Sequence, residues 1–287
     1  MHKFAVVSDS ACDLPVQTVQ KHNIDIVPFT ISFDKINRLT DGVDITNEEF
    51  YNRLESNDSM PKTYFPSVGE YVARFKNHLE QGQDILCLCL SSKLSKSYFS
   101  ALNAKKILSH TFPDNKIMVM DSENASAGQG LLVLNAVKLC ETDVEAAYAK
   151  LEELRKTAKV IFTLTSLRQL VRGGRLSATV MFFGKLLGIN PIISLENGAM
   201  RVIGKTLGRK KALEFIKKYA VNEMNGKPEE YDLVIMHARA LGEASAVAAE
   251  FSAEYGVTPA MPPVDVGVTI GMHTGTTVVA VAFVKKA

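Results

Sequence analysis

Cysteine is scarce in this chain. Cys12, Cys87, Cys89 and Cys140 are the full set, and no two are spaced as CxxC. No histidine or cysteine cluster lies beside them, which argues against a zinc site and for small buried apolar residues in a reducing compartment. Charge of one sign is also lacking: 33 Lys and Arg face 31 Asp and Glu, for a net charge of +2. A nucleic-acid binder working through a large basic surface is therefore not indicated. No uninterrupted apolar run approaches the roughly 18 to 20 residues of a membrane span, so stable membrane insertion is not expected. The opening "MHKFAVVSDSACD" turns polar too soon for a signal peptide, and the expected location is cytoplasmic. Neither GxGxxG nor GxxxxGK[ST] occurs, so nothing supports ATP or NAD binding by those devices, and the GxSxG nucleophile elbow is missing too.

What is present suits a packed α/β protein. The chain is 46% hydrophobic and 22% charged, and its 287 residues suffice for one large domain or two ordinary ones. "KFAVVSDS" reads as a buried strand, and "IDIVPFTISF" as a second. Thr46 with Glu49 and Ser67 with Glu70 have the spacing of capping boxes, and each predicts a helix start. "DILCLCL" and "NKIMVMDS" read as further strands, with Cys87 and Cys89 on one face, and helices are predicted near 124–140 and 143–157. Strand alternating with helix predicts a mostly parallel sheet covered by helices. After about residue 157 the pattern changes. "KVIFTLT" is followed by the short helix "SLRQLVRGG" and the very apolar "ATVMFFGKLLG". "NPIISLENGAMRVIGKTL" then reads as a hairpin about Asn197-Gly198. Helices near 208–224 and 241–255 and the strands "YDLVIMHA" and "TTVVAVAFVKK" complete a mixed sheet. The expected organisation is an N-terminal α/β domain, 1–157, and a C-terminal α/β domain, 158–287.

Ligands of open α/β sheets bind beyond the carboxyl ends of the strands. Four polar stretches of the first half read as such turns: 8–13, 61–67, 91–97 and 121–130. The third, "SSKLSKS", carries Ser91, Ser92, Ser95 and Ser97 just before a helix, where free N–H groups and the dipole favour an anion. Simple helix capping explains any one of these serines equally well. In the second half, "LVRGGRLS" brackets two glycines with Arg172 and Arg175, and a guanidinium fork matches a carboxylate or phosphate. A helix end with surface arginines explains them equally well. His273 stands between Gly271 and Gly275 before the last strand, and a lone histidine is more often structural.

"SDSACDLP", the Thr63–Ser67 turn, "SSKLSKSY", "DSENASAGQG", "LRQLVRGGRLS", "NPIISLENG" and "HTG" occur in the order seen in DegV proteins, and the chain resembles that family over nearly its whole length. The resemblance implies a two-domain carrier of one long-chain fatty acid, with no cofactor and no catalysis of its own. Where a fatty acid kinase is present, such carriers present the carboxylate to its catalytic subunit, which makes acyl phosphate for lipid metabolism. Carried over residue by residue, the resemblance makes Thr63 and Ser95 the carboxylate-binding hydroxyls, with Arg175 and His273 adding charge compensation and Ser92, Asp9 and Ser10 as supporting residues. The chain departs from the family pattern at Lys93 and Lys96, where glycines are usual, and at Tyr64-Phe65. It departs again at Leu207, where an arginine is frequent, with Arg209 two residues on, and at Thr276-Thr277. A carrier fits elementary energetics. About fifteen buried CH₂ groups contribute on the order of 12 kcal/mol gross, association costs offset part of it, and the carboxylate needs donors or a cation. The segment 181–188 is a candidate wall for the tail and equally a helix core. Two other readings use the same residues. One is a hydrolase or phosphotransferase built on Ser95, His273 and Asp9 or Asp121. The other is a scaffold or regulatory module with a vestigial pocket.

Overall fold

A computed structural model describes residues 3–56, 61–176 and 188–287. In chain order the elements are β1 (Phe4–Asp9), α1 (Val16–Lys21), β2 (Asp25–Val27), β3 (Thr30–Ser32), β4 (Leu39–Thr40), α2 (Asn47–Ser56), β5 (Lys62–Tyr64), α3 (Val68–Leu79), β6 (Asp84–Cys89) and α4 (Ser97–Leu108). There follow β7 (Ile117–Asp121), α5 (Ala127–Lys138), α6 (Val144–Thr157), β8 (Lys159–Thr163), α7 (Arg168–Arg172), β9 (Ile189–Glu196), β10 (Ala199–Leu207) and α8 (Arg209–Glu223). The last are β11 (Tyr231–His237), α9 (Leu241–Tyr255), β12 (Val264–Asp265), α10 (Val268–Thr274) and β13 (Val279–Lys285).

One sheet, ordered β2-β1-β6-β7, is wholly parallel. A second, ordered β10-β9-β8-β13-β11-β12, is mixed. A small antiparallel sheet, β4-β3-β5, lies apart from both. Period-two alternation sorts the side chains into layers. Phe4, Val6, Leu86 and Leu88 face α5 and α6, whose Leu132, Ala136 and Leu151 in turn meet Val160, Ala280 and Ala282 of the mixed sheet. Val7, Ile85, Cys87 and Cys89 face the other way, onto Tyr71 and Phe75 of α3 and Ala101 of α4. Ile161, Ile235 and Val281 pack outward beneath α8 and α9. The order of layers is therefore helices, parallel sheet, helices, mixed sheet, helices. All four cysteines are buried and free. No helix among the described residues is long and apolar enough to cross a membrane.

Both capping boxes form. Glu49 N–H donates to Thr46 Oγ1 at 3.2 Å and Glu70 N–H to Ser67 Oγ at 3.3 Å, with each glutamate accepting in return. The hairpin turn also forms, with Asn197 and Gly198 both at positive φ (49° and 81°), the pairing that a two-residue turn of matching twist requires. The expected single strand over 24–33 does not form. It divides at Pro28-Phe29 into β2 and β3, which join different sheets. Proline has no N–H to give to a ladder, so the break falls there. The stretch 61–67 is likewise no simple turn, since Lys62–Tyr64 pairs with Thr30–Ser32. Most of the segment 181–188 lies outside the described residues.

Candidate functional site

A small cleft, about 30 Å³ inside and partly open to solvent, lies where the parallel sheet, the small sheet and α10 meet. Phe29, Leu90, Leu94, Met200 and Ile270 give it apolar walls. Thr63, Ser95, Arg175 and His273, separated by up to 210 residues in sequence, all line it.

Ser95 sits in the turn between β6 and α4, two residues before the helix begins. The turn is wound tightly by Ser95 N–H donating to Ser91 O at 3.0 Å. Ser95 Oγ accepts the Ser97 N–H at 3.2 Å, so it does cap the first turn of α4. Capping uses only a lone pair, and the hydroxyl proton remains available to an acceptor in the cleft. The two roles proposed for this serine are therefore compatible. Thr63 is carried by β5, held in register by Ile31 of β3.

His273 occupies the last turn of α10 and is buried. Its Nε2 lies 3.3 Å from Thr63 Oγ1. Its Nδ1 is buried without a partner among the described residues and faces Gly173, where an added Cβ would come within 2.4 Å. Burial, and after it the neighbouring Arg175, pull the His273 pKa down to about 3. The imidazole is therefore neutral near pH 7 and carries one proton. On Nδ1 that proton would be a stranded buried donor, which typically costs about 1–3 kcal/mol. Placing it on Nε2 lets it donate to Thr63, and the threonine's own O–H is then free to donate into the cleft. Burial thus favours an uncharged His273 that orients Thr63, and Arg175 brings the positive charge to the cleft lining.

Arg175 is half-buried just past the glycine pair. Its Nε donates to Leu94 O at 3.1 Å and its Nη1 to Gly173 O at 2.6 Å. It forms no ion pair among the described residues, and burial lowers its pKa. Among the described residues this guanidinium meets only carbonyls, an arrangement that suits an anionic ligand group.

The other residues singled out lie elsewhere. Asp9 is buried beneath the turn, accepting from Leu90 N–H, Ser97 Oγ–H and Gln129 Nε2–H at 2.9, 2.7 and 2.9 Å. Desolvation raises its pKa despite those bonds. Ser10 donates to Asp41 and accepts from Phe29 N–H. Ser92 gives its N–H to Asp121 Oδ1 at 3.1 Å. None of the three lines the cleft. Arg172 closes α7 and is exposed. The remaining hydroxyl of the serine patch, Ser91, donates to Gly198 O at 2.7 Å and ties the first half to the hairpin of the second. Among the described residues no hydrogen bond joins Ser95 to His273, or His273 to an aspartate. No cluster of three potential metal ligands occurs among the described residues. Thr269 and Thr274 also line the cleft; Thr269 lies in an apolar helix that offers no motif, whereas Thr274 stands within "HTG" and sequence reasoning assigned it no role.

Comparison with known proteins agrees over the whole chain. The family model described as "Uncharacterised protein, DegV family" matches residues 3–286. A DegV domain-containing protein of Clostridium perfringens is 33% identical over 293 residues, covering 99% of this chain and 98% of its own. A stearic acid-binding protein from Eubacterium ventriosum superposes with a TM-score of 0.93 at 31% identity, over 100% of this chain and 99% of the other. A DegV protein from Thermus thermophilus, described by its fatty acid binding, superposes at 0.89 with 28% identity and full coverage of both chains.

Proposed function

This chain belongs to the DegV family, and from that premise we propose that its cleft binds the carboxylate of one long-chain fatty acid and that the protein is a non-catalytic carrier. The observation that carries the reading is the convergence of two donor hydroxyls, Thr63 and Ser95, with the guanidinium of Arg175, which has no ion-pair partner among the described residues, in the lining of an apolar cleft. A carboxylate requires those donors, since burying it bare is prohibitive. An alkyl tail requires the apolar walls. The similar Eubacterium ventriosum protein, which binds stearic acid, supports the class of ligand.

The reading extends to a partner. The bound acid is presented to a fatty acid kinase catalytic subunit, which phosphorylates the carboxylate. Lys93, Lys96 and Leu207 are exposed at positions where the family pattern differs, so the docking surface on this chain has its own chemistry. Acyl phosphate formed by such a subunit only when this protein is added would support the partnership, and none formed would sink it.

The decisive experiment for the carrier itself is mass spectrometry of an organic extract of purified protein. One fatty acid near equimolar amount is expected. Folded protein that carries none and takes up none from added fatty acid would overturn the reading.

A further inference from the structure

Asp41 does not line the cleft, yet it joins two of its walls. Its backbone N–H donates to Phe29 O at 2.9 Å. Its Oδ2 accepts Ser10 Oγ–H at 2.9 Å, and Ser10 Oγ in turn accepts Phe29 N–H at 3.1 Å. Phe29 is thus held from both sides through one residue. The same Oδ2 accepts Thr269 Oγ1–H at 2.7 Å, and the carboxylate also faces the Thr269 N–H. Thr269 stands in the first turn of α10, the helix that ends in His273.

That helix needs outside support. It has seven residues, too few to be stable alone. Its own N-cap position is Gly267, which brings no capping side chain. Asp41 therefore supplies from a distant loop the acceptor and the negative charge that the start of a helix favours. Two further contacts fix the approach. Tyr51 OH donates to Val266 O at 2.8 Å. Gly267 lies so close to Asp13 Oδ1 that an added Cβ would stand 2.4 Å from it.

We propose that Asp41 is a positioning residue for the ligand site: it seats α10, and through it the His273 ring that orients Thr63, against the Phe29 wall. The role rests on the carboxylate-binding reading above. A carboxylate is specified here because both hydroxyls donate to one oxygen. An amide at this position keeps the shape, but its carbonyl is a weaker acceptor without charge, and its NH₂ would meet the Thr269 N–H as a second donor.

The test compares wild type, Asp41→Asn, Ser10→Ala and Thr269→Ser as full chains, with dissociation constants for stearic acid and octadecanol and with ¹⁵N imidazole spectra of ligand-free protein. Asp41→Asn should weaken stearic acid by about tenfold or more, and octadecanol much less. It should move the His273 imidazole resonances while those of His78 and His110 stay in place. Thr269→Ser, which keeps the hydroxyl that Asp41 accepts, should leave the His273 resonances in place. Ser10→Ala should show the same changes as Asp41→Asn to a smaller extent, and it decides the matter if Asp41→Asn does not fold. Unchanged acid affinity in the folded variants, or lost affinity with unmoved His273 resonances, overturns the role of Asp41. Wild type that binds no stearic acid overturns the carrier reading instead, and the His273 resonances then still judge the positioning claim.

Discussion

Thr63 Oγ1 and His273 Nε2 lie 3.3 Å apart across 210 residues of sequence, one on the small sheet and the other at the end of α10. The contact decides which way the threonine hydroxyl can point. With the imidazole neutral and donating from Nε2, the Thr63 proton is directed to the cleft beside that of Ser95. Two donors and one cation then line the same cleft.

The two hydroxyls should matter for an acid and hardly for an alcohol. A hydrogen bond to a charged group contributes about 1.5–3 kcal/mol, so Ser95→Ala should weaken fatty-acid binding roughly ten- to a hundredfold. Thr63→Val should act on the same group, and the double variant should lose less than the sum of the two. Dissociation constants for matched acid and alcohol across the four proteins test this. Wild-type affinity in Ser95→Ala would reduce that serine to its cap on α4.

Arg175 and His273 should separate in their effects. Arg175→Gln removes the cation at the cleft and should cost the acid more than about tenfold near neutral pH while sparing the alcohol. His273→Gln removes an orienter that carries no charge, and an amide donor can still reach Thr63, so its effect should be smaller. Equal losses in the two variants would contradict a neutral His273.

Acid should destabilise the ligand-free protein partly through His273. Unfolded, the imidazole takes its proton near pH 6.5; folded, only near pH 3. Between those values the unfolded chain binds the extra proton. The contribution is thus fully present above about pH 6.5 and is lost as pH falls toward 3. Burial shifts Asp9, Asp13 and Asp41 upward, which gives the opposite slope, so the difference between wild type and His273→Gln isolates the histidine. Urea titrations at about pH 7.5 and about pH 5 should show that difference moving against wild type in acid. A constant difference would mean that the folded ring titrates normally.

The glycine pair should be unequal. Gly173→Ala would thrust a Cβ to 2.4 Å from His273 Nδ1, displacing the ring, and should cost both stability and acid affinity. Gly174, at φ +71°, has open space around it, so Gly174→Ala should cost only backbone strain of about 1–2 kcal/mol and leave affinity nearly intact. Thermal melts and acid titrations of the two variants distinguish these outcomes.

Much of the architecture is legible in local sequence. The near-continuous apolar run "DILCLCL" makes a strand buried on both faces, Ser67 with Glu70 closes a capping box, and Asn197-Gly198 makes a hairpin, because each depends on residues within a few positions of one another. The break at Pro28 is equally local, and the proline was there to be read. What sequence alone could not decide is everything set by approach between distant segments. Ser91 and Gly198, Thr63 and His273, and Asp41 and Thr269 meet only when both sheets and α10 have packed. The charge state of His273 belongs to the same class. Its composition allows either form near pH 7, and the neutral one prevails because tertiary packing removes the ring from water and sets a guanidinium beside it.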